Sequence, residues 1–387
     1  MSSTPLGGDG ATMRIIYVIN SAEGGGAAFP VPRILGTLAR LGAEVRLLIL
    51  TPRDRRALPR FDAAGLDYVL REGGRTDHLH ALRWLDREVA RWGPNVIWTS
   101  LTRATLLGQQ VGRRRAIPVV SWQHAAFLKP ANLLLLRATQ RRSRLWIGDS
   151  AAITALTAER LHVPPERLTS WPIFATDPAA PVARPWSPGE TLRLGSLGRL
   201  HPVKGYDLLV AAMGILRRNG FVAPAPWEVT IGGEGEARSA LEQQARAAGI
   251  DLHLPGFTAA GEAFLSGLHL YLQPSRGEGF CIAAHEAMQA GLPVIGSAVG
   301  EMANSIVDGE TGRLVAPDDA EGLATALRDL LSRPERLAAM GQAGRTRVLE
   351  RFSEPAFEER ARAILARLAG FAREGRPEAG GASARSA

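Results

Sequence analysis

The chain has 387 residues, 45% of them hydrophobic, and a formal net charge of +8. That length can bury two cores of ordinary domain size. The single cysteine, Cys281, excludes a disulfide framework and any Cys-based zinc site, and no apolar run approaches the roughly 18 to 20 residues of a membrane span.

The expected compartment is the cytoplasm, with a peripheral seat on the inner face of the membrane as a further option. The charge is uneven: residues 1–185 carry 25 Lys+Arg against 14 Asp+Glu, or +11, while residues 186–387 carry 21 against 24, or −3. The basic half either attracts an anionic partner or reflects arginine bias, since Lys129 and Lys204 are the only lysines.

Residues 1–12 are small and polar, without the segments of a signal peptide, and are expected to be disordered, as are residues 373–387. RIIYVIN (14–20) reads as a strand and Pro32–Arg40 as part of the helix after it. EVRLLIL (44–50), NVIWTS (95–100), PVVSWQ (118–123) and LWIGDS (145–150) repeat the strand pattern between helical segments. Continuous apolar strands alternating with helices imply a parallel sheet covered on both faces, a Rossmann-like domain over 13–180. Pro178, Pro181, Pro185 and Pro188 then break regular structure and mark a linker. A second series follows in LRLGSLG (192–198), WEVTIGG (227–233), LHLYLQ (268–273) and PVIGSA (293–298), a second Rossmann-like domain over 190–350. The fold class is therefore α/β, with two such domains facing a central cleft and a helix over 351–372 packing back toward the first.

Ligands of open α/β sheets bind beyond the carboxyl ends of the strands. In GRLHPVKG after the strand at 192, Gly198 allows close backbone approach. Arg199 and Lys204 place two cations where a diphosphate fits, unless the loop is merely solvated. Gly233, in a Gly-x-Gly turn, and Gly24, Gly25 and Gly26 after the first strand either admit an anionic ligand to the backbone or serve only the turns. In PSRGEGFCIAAHE, Glu278 precedes a helix expected to open at Gly279 and Phe280, and Glu286 lies two turns into it. The amides of Gly279, Phe280 and Cys281 would be free to take phosphate oxygens. One carboxylate can accept sugar hydroxyls and the other a ribose diol, so the ligand described is a nucleotide sugar. Cys281 reads as packing, not as a nucleophile.

The motif EGFCIAAHE, followed by AMQAGLPVI and DGETGRLV, together with GRLHPVKG, resembles the family 4 retaining glycosyltransferases of GT-B fold. The resemblance spans most of residues 14–350. It implies that Glu278 meets the donor sugar, Glu286 the ribose, and Arg199 with Lys204 the diphosphate. It further implies that His124, in SWQHAAF, lies near the transferred sugar, giving His124, Glu278, Arg199 and Lys204 catalytic roles. Front-face attack with retention, no metal and no cofactor beyond the nucleotide-diphosphate sugar follow from the same resemblance. The implied acceptor is a glycan or lipid-linked acceptor of bacterial-type cell-surface polysaccharide or glycolipid synthesis, with no nucleic-acid partner.

In LKPANLLLLRATQRRSR (128–144), Leu133–Leu136 stand beside Lys129, Arg137, Arg141, Arg142 and Arg144, with Arg113–Arg115 as a second basic cluster. This segment either meets an anionic membrane surface or packs its leucines on the sheet. Two rival readings are a nucleotide-sugar epimerase and a non-catalytic nucleotide-sugar-binding protein. The charged residues Arg199, Lys204, Glu278 and Glu286 favour transfer over both.

Overall fold

A computed structural model describes residues 12–124 and 128–374. The tails expected to be disordered lie outside these residues, except that the last helix, Glu354–Glu374, runs slightly into the second tail. The described chain forms two compact units. One holds the residues up to His124, Leu128–Ile173 and those from Glu358 onward; the other holds Phe174–Phe357.

The first unit is built on strands β1 (Met13–Ile19), β2 (Ala43–Ile49), β3 (Tyr68–Leu70), β4 (Val96–Ser100), β5 (Val119–Gln123), β6 (Leu145–Gly148) and β7 (Leu168–Ser170). They form one sheet in the order β3-β2-β1-β4-β5-β6-β7, parallel throughout. β4, β5 and β6 are buried along their whole length, which is why they read as unbroken apolar runs. On one face Ile16, Val18, Leu48 and Ile97 pack against the helices His78–Trp92 and Thr102–Arg115. The other face carries a file of large rings, Tyr17, Trp98, Trp122 and Trp171, with the Trp122 and Trp171 centroids stacked 4.9 Å apart. The last helix adds to this unit through an Arg40–Glu358 ion pair at 2.9 Å and hydrogen bonds from Arg360 and Arg367 to the carbonyls of Ser170 and Leu168.

The second unit is built on β8 (Leu192–Leu197), β9 (Trp227–Gly232), β10 (Leu252–Gly256), β11 (Leu270–Gln273), β12 (Val294–Ser297) and β13 (Gly312–Val315). The order β10-β9-β8-β11-β12-β13 is again wholly parallel. The proline-rich stretch expected to be a linker is tied down on this unit: Thr176 and Ala183 donate backbone hydrogen bonds to Phe352 and Ala290, and Asp177 to the Gln289 side chain.

Four strands went unread in the sequence, β3, β7, β10 and β13, and they are the outer strands of the two sheets. An outer strand has one neighbour and half-buried residues, as in β3 and β7, so it needs no continuous apolar run. Among the described residues, no helix is long and apolar enough to cross a membrane.

Candidate functional site

In each sheet the strand order reverses once, between β1 and β4 in the first and between β8 and β11 in the second. Loops leaving the carboxyl ends of such a pair diverge and open a crevice. In the second unit those loops carry GRLHPVKG and PSRGEGF.

After β8, the His201 side chain accepts from the Val203 amide at 3.1 Å and caps the turn Pro202–Lys204. The turn delivers Lys204, whose Nζ lies 2.7 Å from Glu278 Oε1. Burial works against the Lys204 ammonium, but the adjacent Glu278 carboxylate outweighs it and holds the pKa above the ordinary lysine range. Glu278 Oε1 also accepts from Ser275 Oγ at 2.6 Å and Gln273 Nε2 at 3.2 Å. Arg199, on the same loop, is exposed; its carbonyl accepts from the His201 amide at 2.8 Å, and its side chain makes no hydrogen bond or ion pair among the described residues. The cation pair is thus asymmetric, one member anchored on a carboxylate and one open to a ligand.

The loops also grip one another. A Cβ at Gly233 would lie 1.8 Å from the Gly198 carbonyl oxygen, so close backbone approach excludes a larger residue there, and one at Gly198 would lie 2.7 Å from the hydroxyl of buried Tyr206. Gly300, at φ +57°, lies against the carbonyls of Glu278 and Gly279, and the Gly279 carbonyl accepts from the Glu301 amide at 2.9 Å. Arg276 crosses three loops: it donates to Asp207 Oδ2 at 2.6 Å, to the Pro202 carbonyl at 2.7 Å and to Asp318 Oδ1 at 2.6 Å.

The helix after Glu278 departs from the sequence reading. It opens at Ile282, not at Gly279, because Cys281 is its N-cap in the left-handed region, φ +65°. Glu286 is therefore one turn into the helix instead of two, and half-buried. The Phe280 ring is buried among Phe174, His285 and Phe352, so only its backbone remains for a ligand. Cys281 is buried, and burial pushes its thiol pKa well up, which leaves it unreactive. His285, next to Glu286, bonds through Nδ1 to the Cys281 carbonyl at 2.9 Å and through Nε2 to Ser305 Oγ at 2.8 Å, bracing the strained cap.

In the first unit, Gly24, Gly25 and Gly26 lie in the loop after β1. The Gly24 amide donates to Asp54 Oδ1 at 3.0 Å, so a carboxylate occupies the donor that a phosphate would need. His124 follows β5. Its Nε2 lies 2.7 Å from Ser100 Oγ at the end of β4, and its Nδ1 lies 3.6 Å from Asp149 Oδ2, just past β6. Its ring packs on Trp122 at 5.3 Å between centroids.

The sequence reading missed Gln273, Ser275, Arg276, Asp207, Ser100 and Asp149. The available signal was positional, since each lies at a strand end or in the loop or helix just beyond it. A cavity of about 150 Å³ in the second unit, lined by Trp186, His269 and Pro293, lies at the amino ends of β11 and β12, away from the charged loops.

Two family models match: Glycosyltransferase Family 4 over residues 24–174 and Glycosyl transferases group 1 over residues 185–347. A GDP-mannose-dependent alpha-(1-6)-phosphatidylinositol monomannoside mannosyltransferase of Mycolicibacterium smegmatis is 32% identical over 54% of this chain and 55% of its own length. A D-inositol 3-phosphate glycosyltransferase of Thermobispora bispora is 29% identical over 77% of this chain and 73% of its own. Among solved structures, HepE of Anabaena in complex with UDP-glucose superposes with a TM-score of 0.78 at 17% identity, covering 92% of this chain and 100% of that one. That likeness speaks for the fold.

Proposed function

Because the chain belongs to family 4 of the glycosyltransferases, with the GT-B fold, we propose that it moves a sugar from a nucleotide-diphosphate sugar to an acceptor hydroxyl with retention at the anomeric carbon. The observation that carries this reading is the Lys204–Glu278 pair beside exposed Arg199, set at the strand-order reversal of the second sheet. Arg199 and Lys204 take the diphosphate and stabilise it as it leaves. Glu278 receives sugar hydroxyls, and Glu286 the ribose. No metal is needed where two cations and backbone amides offset the leaving charge. His124, held by Ser100, acts on the transferred sugar.

The acceptor is a glycolipid or lipid-linked glycan, a reading supported by the phosphatidylinositol mannoside named for one relative. The first unit supplies a surface for such a substrate. On helix Pro130–Thr139, Leu136 is buried, but Leu134 and Leu135 are 67% and 49% exposed, next to Arg137, Arg141 and Arg142. Exposed leucines rimmed by arginines suit an anionic membrane surface on its cytoplasmic face.

The test is a melting panel of nucleotide sugars, including UDP-glucose and GDP-mannose, followed by assay of sugar release or transfer from the strongest ligand. A rise in melting temperature with one donor and donor-dependent product are expected. A panel without any stabilising donor overturns the assignment.

A further inference from the structure

Glu278 stands at the end of a buried hydrogen-bond chain whose direction is fixed by chemistry. With the Lys204 ammonium at 2.7 Å, Glu278 is a carboxylate and can only accept. The Ser275 hydroxyl therefore donates to Oε1 at 2.6 Å, and Ser275 Oγ must accept from Gln273 Nε2 at 2.8 Å. The same amide nitrogen reaches Glu278 Oε1 at 3.2 Å. That orientation turns the Gln273 carbonyl oxygen toward the Tyr271 hydroxyl, 3.0 Å away, whose one proton it shares with the Leu197 carbonyl at 3.2 Å. The phenol oxygen in turn accepts from the Leu197 amide of β8 at 3.0 Å. Tyr271, Gln273 and Ser275 are all fully buried, which makes each of these bonds stronger and each loss costlier than at a surface.

Three donors thus converge on Oε1, from Lys204, Ser275 and Gln273, and none of the three reaches Oε2. We propose that Gln273 and Ser275 are positioning residues for the sugar step: they fix the plane of the Glu278 carboxylate and reserve Oε2 for hydroxyls of the transferred sugar. The alternation of Tyr271, Gln273 and Ser275 along the exit of β11 puts all three on one side of the strand, which is what such a relay requires. This rests on the reading that Glu278 meets the sugar.

The experiment compares two affinities in each variant, for the nucleotide sugar selected by the melting panel and for its nucleoside diphosphate, alongside kcat and KM. Ser275→Ala should lose about tenfold or more in affinity for the nucleotide sugar and in kcat/KM, the order expected for one hydrogen bond to a charged group. Its affinity for the nucleoside diphosphate should stay within about twofold, because the diphosphate does not touch Oε2. Gln273→Met, close in size and without a donor, should show the same split, and serves if Ser275→Ala does not fold. Glu278→Gln separates the sugar contact of Glu278 from the positioning role of Gln273 and Ser275. If it keeps full sugar affinity and transfer, the assignment of Glu278 to the sugar is wrong. If it is impaired while Ser275→Ala and Gln273→Met match the parent, or if those variants lose both affinities equally, the positioning role is overturned.

Discussion

The strand-order reversals of the two sheets are built alike and furnished differently. In the second unit the crevice is lined by charge already organised: Lys204 on Glu278, Arg276 across Asp207 and Asp318, and Arg199 left open. In the first, the glycine loop donates to Asp54, and the neighbouring strand ends carry the Ser100–His124 contact above a file of buried rings. The difference teaches that the same strand-order reversal can carry organised charge in one unit and a histidine backed by aromatic rings in the other.

The contrast is tested most strongly in the second unit. Lys204→Ala leaves the Glu278 carboxylate without its cation and, on the proposed function, removes a diphosphate contact, while Glu286→Ala removes the proposed ribose partner. Each should weaken nucleotide-sugar binding by about 10- to 150-fold, corresponding to about 1.5–3 kcal/mol for a charged hydrogen bond, with the fold retained. Calorimetry checks this, and unchanged donor affinity in both variants removes the assignment.

In the first unit the corresponding probe is His124→Ala. Turnover is expected to fall about tenfold or more while affinity for the free nucleoside diphosphate is unchanged, since the proposed site for that ligand lies on the other unit. Turnover equal to the parent reduces His124 to a strut between Ser100 and Trp122. A third test addresses the surface of the same unit. Changing Arg141 and Arg142 together to glutamate should weaken sedimentation with anionic vesicles by at least about 30-fold at low salt, from about 1 kcal/mol per arginine. Binding that is equally strong to neutral vesicles leaves a soluble acceptor as the better reading.

How far the sequence spoke follows the same divide. The inner strands were legible because burial on both faces imposes continuous apolar runs, as in VIWTS and VVSWQ. Lys204 and Glu278 stood out because charge at a strand end rarely serves the core. The opening of the helix at Ile282 was not legible, because a left-handed Cys281 has no local signature and depends on the His285 brace. Gln273 and Ser275 were hidden for a related reason: an amide and a hydroxyl look like ordinary loop residues until burial makes their hydrogen bonds obligatory. The Asp54 carboxylate on the Gly24 amide is a contact across two loops that no local spacing predicts.

The smallest effect expected is on stability, and it too separates the units. His285 and His269, both in the second unit, have pKa values lowered to about 4. Burial is the main cause in each; the charge of Arg351 adds to it for His285, and those of Arg193 and Arg184 for His269. An unfolded chain protonates these imidazoles near pH 6.5. Between about pH 6.5 and 4 the unfolded state therefore binds more protons than the folded one, and stability falls as pH falls through that window. Above it both states hold neutral imidazole, and the contribution is complete. Asp77 and Asp86 of the first unit do not add to this slope: arginine hydrogen bonds hold their pKa values below the ordinary carboxylate value, so they titrate under the window. Melting followed from pH 7 to pH 5 should drop by roughly several degrees, and hydrogen exchange should place the loss of protection in the second unit first. Equal loss in both units, or a flat melting temperature across the window, breaks the comparison, because the proton-linked weakness would then not lie in the buried histidines that brace the Glu286 helix and the base of β11.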